Sequence, residues 1–304
     1  MNFRLDALGF TGNEEFMSTA RTAICTLVVV VLAVVAVAQS QSVAPANLAS
    51  PWVELHAARV RLLAGAPAVK PAKSYLAGVE ITLAEGWKTY WRTPGDAGVP
   101  PLFDWKGSTN VAAIKVRHPA PHRMQEPGAE TIGYKSAVIF PVEVVPSDPS
   151  KPVGLELTAE FGVCRDICIP AEAKLSLTLL PSQLVGDASP ALIAALERVP
   201  RPQSSRRASD PEVRRVTANL DGGAPRLSIE ARFPQGGRGA DVFVEAPEGL
   251  YVPLPKRLPD AADGTLRFEV DLSRGGSAHE LKAKTLTLTL VSDAGATETT
   301  WTVP

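Results

Sequence analysis

No glycine-rich phosphate-binding loop occurs in the 304 residues, and the formal net charge is only −1, so nothing in the chain points to nucleotides or nucleic acid. Aromatic residues are few, at 6%, against 27 prolines, which favours short strands and turns over long helices. Past the N-terminal region no apolar run is long enough to span a membrane. Cysteine is the scarcest feature with chemical weight, present only at positions 25, 164 and 168.

Ala23 to Ala38 is an apolar run that follows Arg21 and closes with Ala36-Val37-Ala38 before Gln39-Ser40. That is the pattern of a secretory signal with an A-x-A cleavage site, shorter than the ~20 residues a membrane span prefers and without a basic flank behind it. Asp6, Glu14 and Glu15 do not suit a positive n-region, whereas Met17-Ser18-Thr19-Ala20-Arg21 does, so translation is expected to start at Met17 and the signal to end at residue 38, with retention of the segment as an N-terminal anchor the alternative. Cys25 leaves with the signal, and the exported chain keeps two cysteines that can pair with each other. About 265 residues remain, enough for two domains with their own cores.

From Trp52 to about Leu180 the pattern has period two, as in Ala77 to Leu83, Ala137 to Val145 and Leu155 to Ala159. Turn signals such as Glu85-Gly86, Pro94-Gly95-Asp96 and Glu126-Pro127-Gly128 punctuate it. Half-buried strands separated in this way predict an antiparallel sandwich over residues 50–182. One helix is expected after Ser189-Pro190, where Leu192, Ile193, Leu196 and Val199 recur at helical spacing, with Ser189 as N-cap. Pro200 to Arg207 is polar and basic linker chemistry, so residues 183–210 are expected to be helix and linker. Alternation resumes from Val213, predicting a second, smaller sandwich over 211–304 that has no cysteine and no carboxylates clustered for catalysis. The fold class expected is therefore all-β, two immunoglobulin-like β-sandwich domains joined by a short helix and linker.

The chemistry concentrates in Phe161-Gly162-Val163-Cys164-Arg165-Asp166-Ile167-Cys168-Ile169-Pro170. A bridge closing so short a loop stabilises by only about 2 kcal/mol in the chain-entropy account, a poor reason for a structural disulfide. Residues four apart on an extended strand are separated by ~13 Å, beyond the ~7 Å that a bridge allows, so the chain must turn sharply at Arg165-Asp166-Ile167. Such a bridge is expected to be reducible, which favours a redox-active pair. Two other readings stay open: a structural bridge, and a copper or zinc site in which His118 and His122 join Cys164 and Cys168 as a Cys2His2 set. Arg165 favours a thiolate and Asp166 opposes one, so local charge does not choose among them.

These residues resemble the end of the N-terminal periplasmic domain of DsbD-type thiol:disulfide interchange proteins, in particular the ScsB-like branch linked with copper tolerance. Gly86-Trp87-Lys88-Thr89-Tyr90-Trp91-Arg92-Thr93-Pro94-Gly95-Asp96 and Gly133-Tyr134-Lys135-Ser136 resemble the same domain upstream, in the right order. The resemblance implies an immunoglobulin-like sandwich with protein-disulfide reductase-like activity and no organic cofactor. Cys168 would be the cysteine that exchanges with partners, Cys164 the resolving thiol, and Trp87 and Tyr90 aromatic neighbours of the active site. A flexible cap loop at about 126–134, hinged at Gly128 and Gly133, would shield the sulfurs through Ile132 or Tyr134. Electrons would come from a CcdA- or DsbD-like membrane transporter and pass to thioredoxin-like periplasmic proteins such as an isomerase, to a cytochrome c maturation factor or to a copper-resistance protein. The best-known members place five residues between their cysteines rather than three, and they continue into a membrane domain and a thioredoxin domain. Here those parts are expected to be separate proteins.

Overall fold

The computed structural model describes residues 48–65, 74–126, 128–184, 189–275 and 278–304. The expected signal, with Met17 and Cys25, lies outside the described residues. The first eleven strands are β1 (Val53–Glu54), β2 (Ala58–Gly65), β3 (Tyr75–Leu83), β4 (Lys88–Gly95), β5 (Leu102–Asp104), β6 (Val111–Val116), β7 (His122–Glu126), β8 (Ala129–Lys135), β9 (Ala137–Pro146), β10 (Val153–Cys164) and β11 (Cys168–Leu179). They form two sheets, one in the order β1-β2-β3-β9-β6 and one in the order β11-β10-β4-β8-β7, with β5 also pairing β10.

Period-two patterning decides which side chains meet between these sheets. Val60, Leu62, Val79, Ile81, Phe140 and Val142 from the first sheet face Trp91, Ile132, Tyr134, Leu155, Phe161 and Val163 from the second, all fully or almost fully buried in one cluster. Each such side chain contributes about 1.5–3 kcal/mol of burial. The opposite face of the second sheet therefore carries the intervening residues, Lys88 and Tyr90 on β4 and Gly162 and Cys164 on β10.

The expected helix is α1 (Pro190–Glu197), with proline in its first turn. Ser189 stands at the N-cap but makes no side-chain cap bond, so the helix is held by packing instead. Leu192 is fully buried with Leu63 and Leu76 on the outer face of the first sheet. Gly78 makes room for it, since a Cβ there would lie 2.5 Å from a Leu192 methyl.

The remaining strands are β12 (Arg201–Pro202), β13 (Glu212–Asn219), β14 (Arg226–Arg232), β15 (Asp241–Glu245), β16 (Lys256–Leu258), β17 (Leu266–Asp271), β18 (Thr285–Ser292) and β19 (Gly295–Thr302). They build a second sandwich from sheets β12-β19-β18-β15 and β13-β14-β17-β16. The basic segment after α1 is not a free tether. Arg201 and Pro202 pair in parallel with Thr297 and Glu298 of β19. Arg201 also bonds the carboxylate of Asp210, itself only 1% exposed, at 3.3 Å.

The two sandwiches meet along an apolar and ionic seam. Phe243, Val291 and Ala296 of the second belong to the core cluster of the first, and the Phe243 ring centroid lies 5.7 Å from that of Trp91. Beside it Arg92 donates to Glu245 at 2.9 and 2.6 Å and also to Glu298. Arg123 donates to Asp241 at 2.8 and 2.7 Å, to Glu130 at 3.0 Å and to the Pro255 carbonyl at 2.9 Å.

Candidate redox site

Strands β10 and β11 form one long hairpin whose register runs from Val153 opposite Leu179 to Cys164 opposite Cys168. The turn demanded by the sequence is the three residues Arg165-Asp166-Ile167, closed by a bond from the Arg165 amide to the Ile167 carbonyl at 3.1 Å. Reversal brings the two cysteine Cα atoms to 4.1 Å, and the sulfurs are joined as a disulfide. The sulfurs differ in their surroundings. Cys164 also pairs with Lys88 of β4 and is 1% exposed, whereas Cys168 starts an edge strand and is exposed.

Strand β4 supplies the floor beside the pair. Thr89 donates from its hydroxyl to the Gly162 carbonyl at 2.9 Å, which ties β4 to β10 just short of Cys164. Tyr90, next along and on the other face, is 1% exposed. Its hydroxyl stands 3.3 Å from Cys168 Sγ. Burial, and then the Glu126 carboxylate, push the Tyr90 phenol up to about 12, so at neutral pH it is a proton-bearing donor. Glu126 is itself held by Lys88 at 2.5 Å and by the Thr131 hydroxyl at 2.5 Å. Although burial raises the Glu126 pKa, those two partners bring it below the ordinary carboxylate value. Lys88 and Glu126 were not foreseen as part of the site. The alternation of Lys88-Thr89-Tyr90 was the available signal, because it places Lys88 and Tyr90 on one face.

The segment after β4 lies over the Tyr90 ring. Gly98 has φ +120°, and a Cβ there would sit 2.5 Å from Tyr90 Cδ1 and 2.8 Å from Cζ, so only glycine allows this approach. Val99 then reaches β10, accepting a bond from the Gly162 amide at 3.4 Å. In the turn between the cysteines, Arg165 pairs with Asp166 at 3.0 Å and lies 5.3 Å from the centroid of Trp87. Trp87 thus touches the turn through Arg165, and its ring meets His56 edge-on at 5.9 Å. The opposing charges of Arg165 and Asp166 offset each other locally.

Ile132 and Tyr134 do not cover the sulfurs. They are 1% and 2% exposed and face the core between the sheets, on the opposite side of the second sheet from Tyr90. Tyr134 donates to the Pro119 carbonyl at 2.8 Å and packs edge-on to Phe140. The expected cap is a β-hairpin, β7 with β8. Gly128 has φ +80° near its tip with nothing within 4 Å of its absent Cβ. Gly133 is no hinge: a Cβ there would overlap the Thr89 carbonyl oxygen and lie 2.8 Å from Tyr90 Cα, so the missing side chain lets β8 close on β4.

The Cys2His2 set is not assembled. Among the described residues no three His, Cys, Asp or Glu side chains are grouped to hold a metal ion. His118 packs edge-on to Phe140, its ring centroid 5.5 Å from the phenyl, in a cavity shared with Arg92 and Glu298. Burial, and next the Arg92 charge, lower its pKa to about 4 against a smaller opposing effect of Glu298. His122 is exposed and lines a different cavity, with Arg198 and Asp293. Their separation follows from strand order, because His118 precedes β7 and His122 begins it, at the edge of the sheet remote from β10 and β11.

Residues 59–180 match the family described as thiol:disulfide interchange protein DsbD, N-terminal. Residues 198–304 match a domain of unknown function, DUF8393. No curated protein matches the sequence. Among solved structures, the N-terminal periplasmic domain of ScsB from Proteus mirabilis is similar with a TM-score of 0.64 at 23% identity, over 85% of this chain and 99% of that one. The likeness concerns the fold and spans both sandwiches, and among the described residues no helix is long and apolar enough to cross a membrane. With the cysteine hairpin and its aromatic floor inside the matched segment, residues 59–180 are an N-terminal domain of the DsbD type.

Proposed function

We propose that the protein is a periplasmic thiol–disulfide exchange module, reductase-like in activity, with Cys168 as the exchanging sulfur and Cys164 as the resolving one. The observation that carries this reading is the unequal burial of two sulfurs in a single bridge: Cys168 is exposed beside the Tyr90 hydroxyl, and Cys164 is 1% exposed beneath it. A reductant's thiolate attacks Cys168 Sγ, the bridge breaks, and Cys164 leaves as a thiolate. A second thiolate of the reductant then displaces Cys168, so two electrons and two protons enter the pair. In the delivering half-reaction the Cys168 thiolate attacks an oxidised protein's disulfide, and Cys164 attacks Cys168 Sγ to release the reduced product and restore the bridge. Tyr90 donates to the Cys168 thiolate in either direction.

The reductant fits a CcdA- or DsbD-like membrane transporter, and the recipients fit thioredoxin-like periplasmic proteins. Support for the compartment comes from the signal-like N-terminus and from the periplasmic origin of the similar ScsB domain. The test is a folded Cys164→Ser variant in periplasmic extract, which leaves the accessible sulfur without its resolving partner. Mixed disulfides through Cys168 are the expected result. Their absence, or a wild-type potential below about −300 mV, where structural bridges lie, would overturn the proposal.

A further inference from the structure

The second sandwich makes a polar contact with the segment that lies on the redox floor. Tyr251, between β15 and β16, donates from its hydroxyl to Asp96 Oδ1 at 2.6 Å. Asp96 is fixed from the other side by β8, since its Oδ2 accepts from the Glu130 amide at 3.1 Å and its own amide donates to the Glu130 carbonyl at 3.0 Å. Two residues further on, Gly98 lies on the Tyr90 ring, and Val99 is bound to Gly162 of β10. Gly162 closes the other side of the same ring, because a Cβ there would be 3.3 Å from Tyr90 Cε2. Tyr90 is thus gripped between Gly98 and Gly162, with its hydroxyl directed at Cys168 Sγ.

We propose that Tyr251 and Asp96 are positioning residues for the cysteine pair, and that the second sandwich serves the exchange reaction by clasping the segment that holds Tyr90 in place. The inference rests on Cys168 being the reacting sulfur, and it assigns a role to the C-terminal half, none of whose atoms needs to touch the cysteines. Donor strength at a thiolate depends on alignment, and a phenol flanked at Cδ1 and Cε1 by Gly98 and at Cδ2 and Cε2 by Gly162 stays aligned. Loosening the clasp lets residues 96–99 lift and the ring tilt, so the thiolate loses part of its donor. Tyr251 is 45% exposed, and removing its hydroxyl leaves the ring in place. Tyr251→Phe is therefore a mild variant for stability.

The experiment measures alkylation of Cys168 as a function of pH in reduced Cys164→Ser protein, where the probe is iodoacetamide and no partner is needed. Tyr251→Phe is expected to slow alkylation about twofold near neutral pH and to move the profile's midpoint upward, in the direction of Tyr90→Phe. In the Tyr90→Phe background the same substitution should change nothing. Asp96→Asn has one carboxamide oxygen for two donors, the Tyr251 hydroxyl and the Glu130 amide, so it gives up one anchor of the clasp and should shift the profile in the direction of Tyr251→Phe, as should Asp96→Ala. A Tyr251→Phe profile that superimposes on the parent, or a change of the same size whether residue 90 is Tyr or Phe, would overturn the inference. A chain that failed to exchange with any protein would sink the proposed function and still give this profile, so the two failures are distinguishable.

Discussion

Tyr90→Phe tests the site most directly, because it removes one oxygen and leaves the buried ring. The lost contact is the 3.3 Å approach of the hydroxyl to Cys168 Sγ. A hydrogen bond to a charged group contributes about 1.5–3 kcal/mol, and since water can reach the exposed Cys168 the low end applies. A loss of about 1.4 kcal/mol lowers the thiolate population at neutral pH about tenfold. The more basic sulfur is also more nucleophilic, with a Brønsted slope of about 0.4–0.5, which returns about threefold. The net result is a reaction about three- to fourfold slower at neutral pH and about threefold faster above the ionisation midpoint, so the two profiles must cross. Stopped-flow alkylation of reduced Cys164→Ser protein across pH 5 to 11, with and without Tyr90, reads the crossing. Equilibration of the two-cysteine protein in graded glutathione should show the Tyr90→Phe bridge becoming harder to reduce, because the reduced form loses its donor. Parallel profiles with one midpoint would refute the hydrogen bond as a contributor to reactivity.

Three further outcomes are expected. Gly133→Ala drives a methyl into the Thr89 carbonyl and should destabilise the protein by about 3 kcal/mol or more, visible in chemical denaturation, although the position reads in sequence as the hinge of a cap loop. Arg92→Met leaves Glu245 and Glu298 at the seam without their cation; with the Arg92 side chain 30% exposed, a loss of about 2 kcal/mol is expected, and a smaller one once Glu245→Gln is also present. His118 stays neutral in the folded protein down to about pH 4, while in the unfolded chain it takes a proton below about 6.5. Stability attributable to it is thus complete above pH 6.5 and is lost as pH falls towards 4, by no more than roughly 2–3 kcal/mol after screening. His118→Asn should flatten that part of a stability–pH curve, and an unchanged slope between pH 6.5 and 4 would contradict the assignment.

The strands and the cysteine hairpin were legible in the sequence because they depend on local patterning: alternation for β10 and β11, and a three-residue interval for the turn. The sides of the second sheet were harder to read. Ile132 and Tyr134 were expected over the sulfurs, yet they are one position out of phase with Thr131 and Gly133, and that parity points them into the core. Parity is visible in sequence only once the cross-strand register is known, and that register is fixed by Gly133 closing on Thr89. Pro94-Gly95-Asp96 was legible as a turn, but its contact with Tyr251 joins residues 155 positions apart, and no local signal marks it. The parallel pairing of Arg201 with Thr297 was hidden for the same reason. His118 and His122 looked like a ligand pair because they are four apart in sequence, and the edge position of β7 separates them from the cysteines.

Phe243, Val291 and Ala296 complete a core that Trp91 and Ile132 begin, although the two family matches part company between residues 180 and 198. Excising the first half at that border leaves an apolar scar on β4, ready to adhere to whatever it meets. The unit of inheritance and the unit of cooperative unfolding therefore need not coincide here. Recombination that exchanged the C-terminal half for an unrelated sandwich would have to bring a matching aromatic, and two carboxylates for Arg92, in the same event. A lineage that keeps one half is under pressure to keep the other, whatever the second half contributes to chemistry.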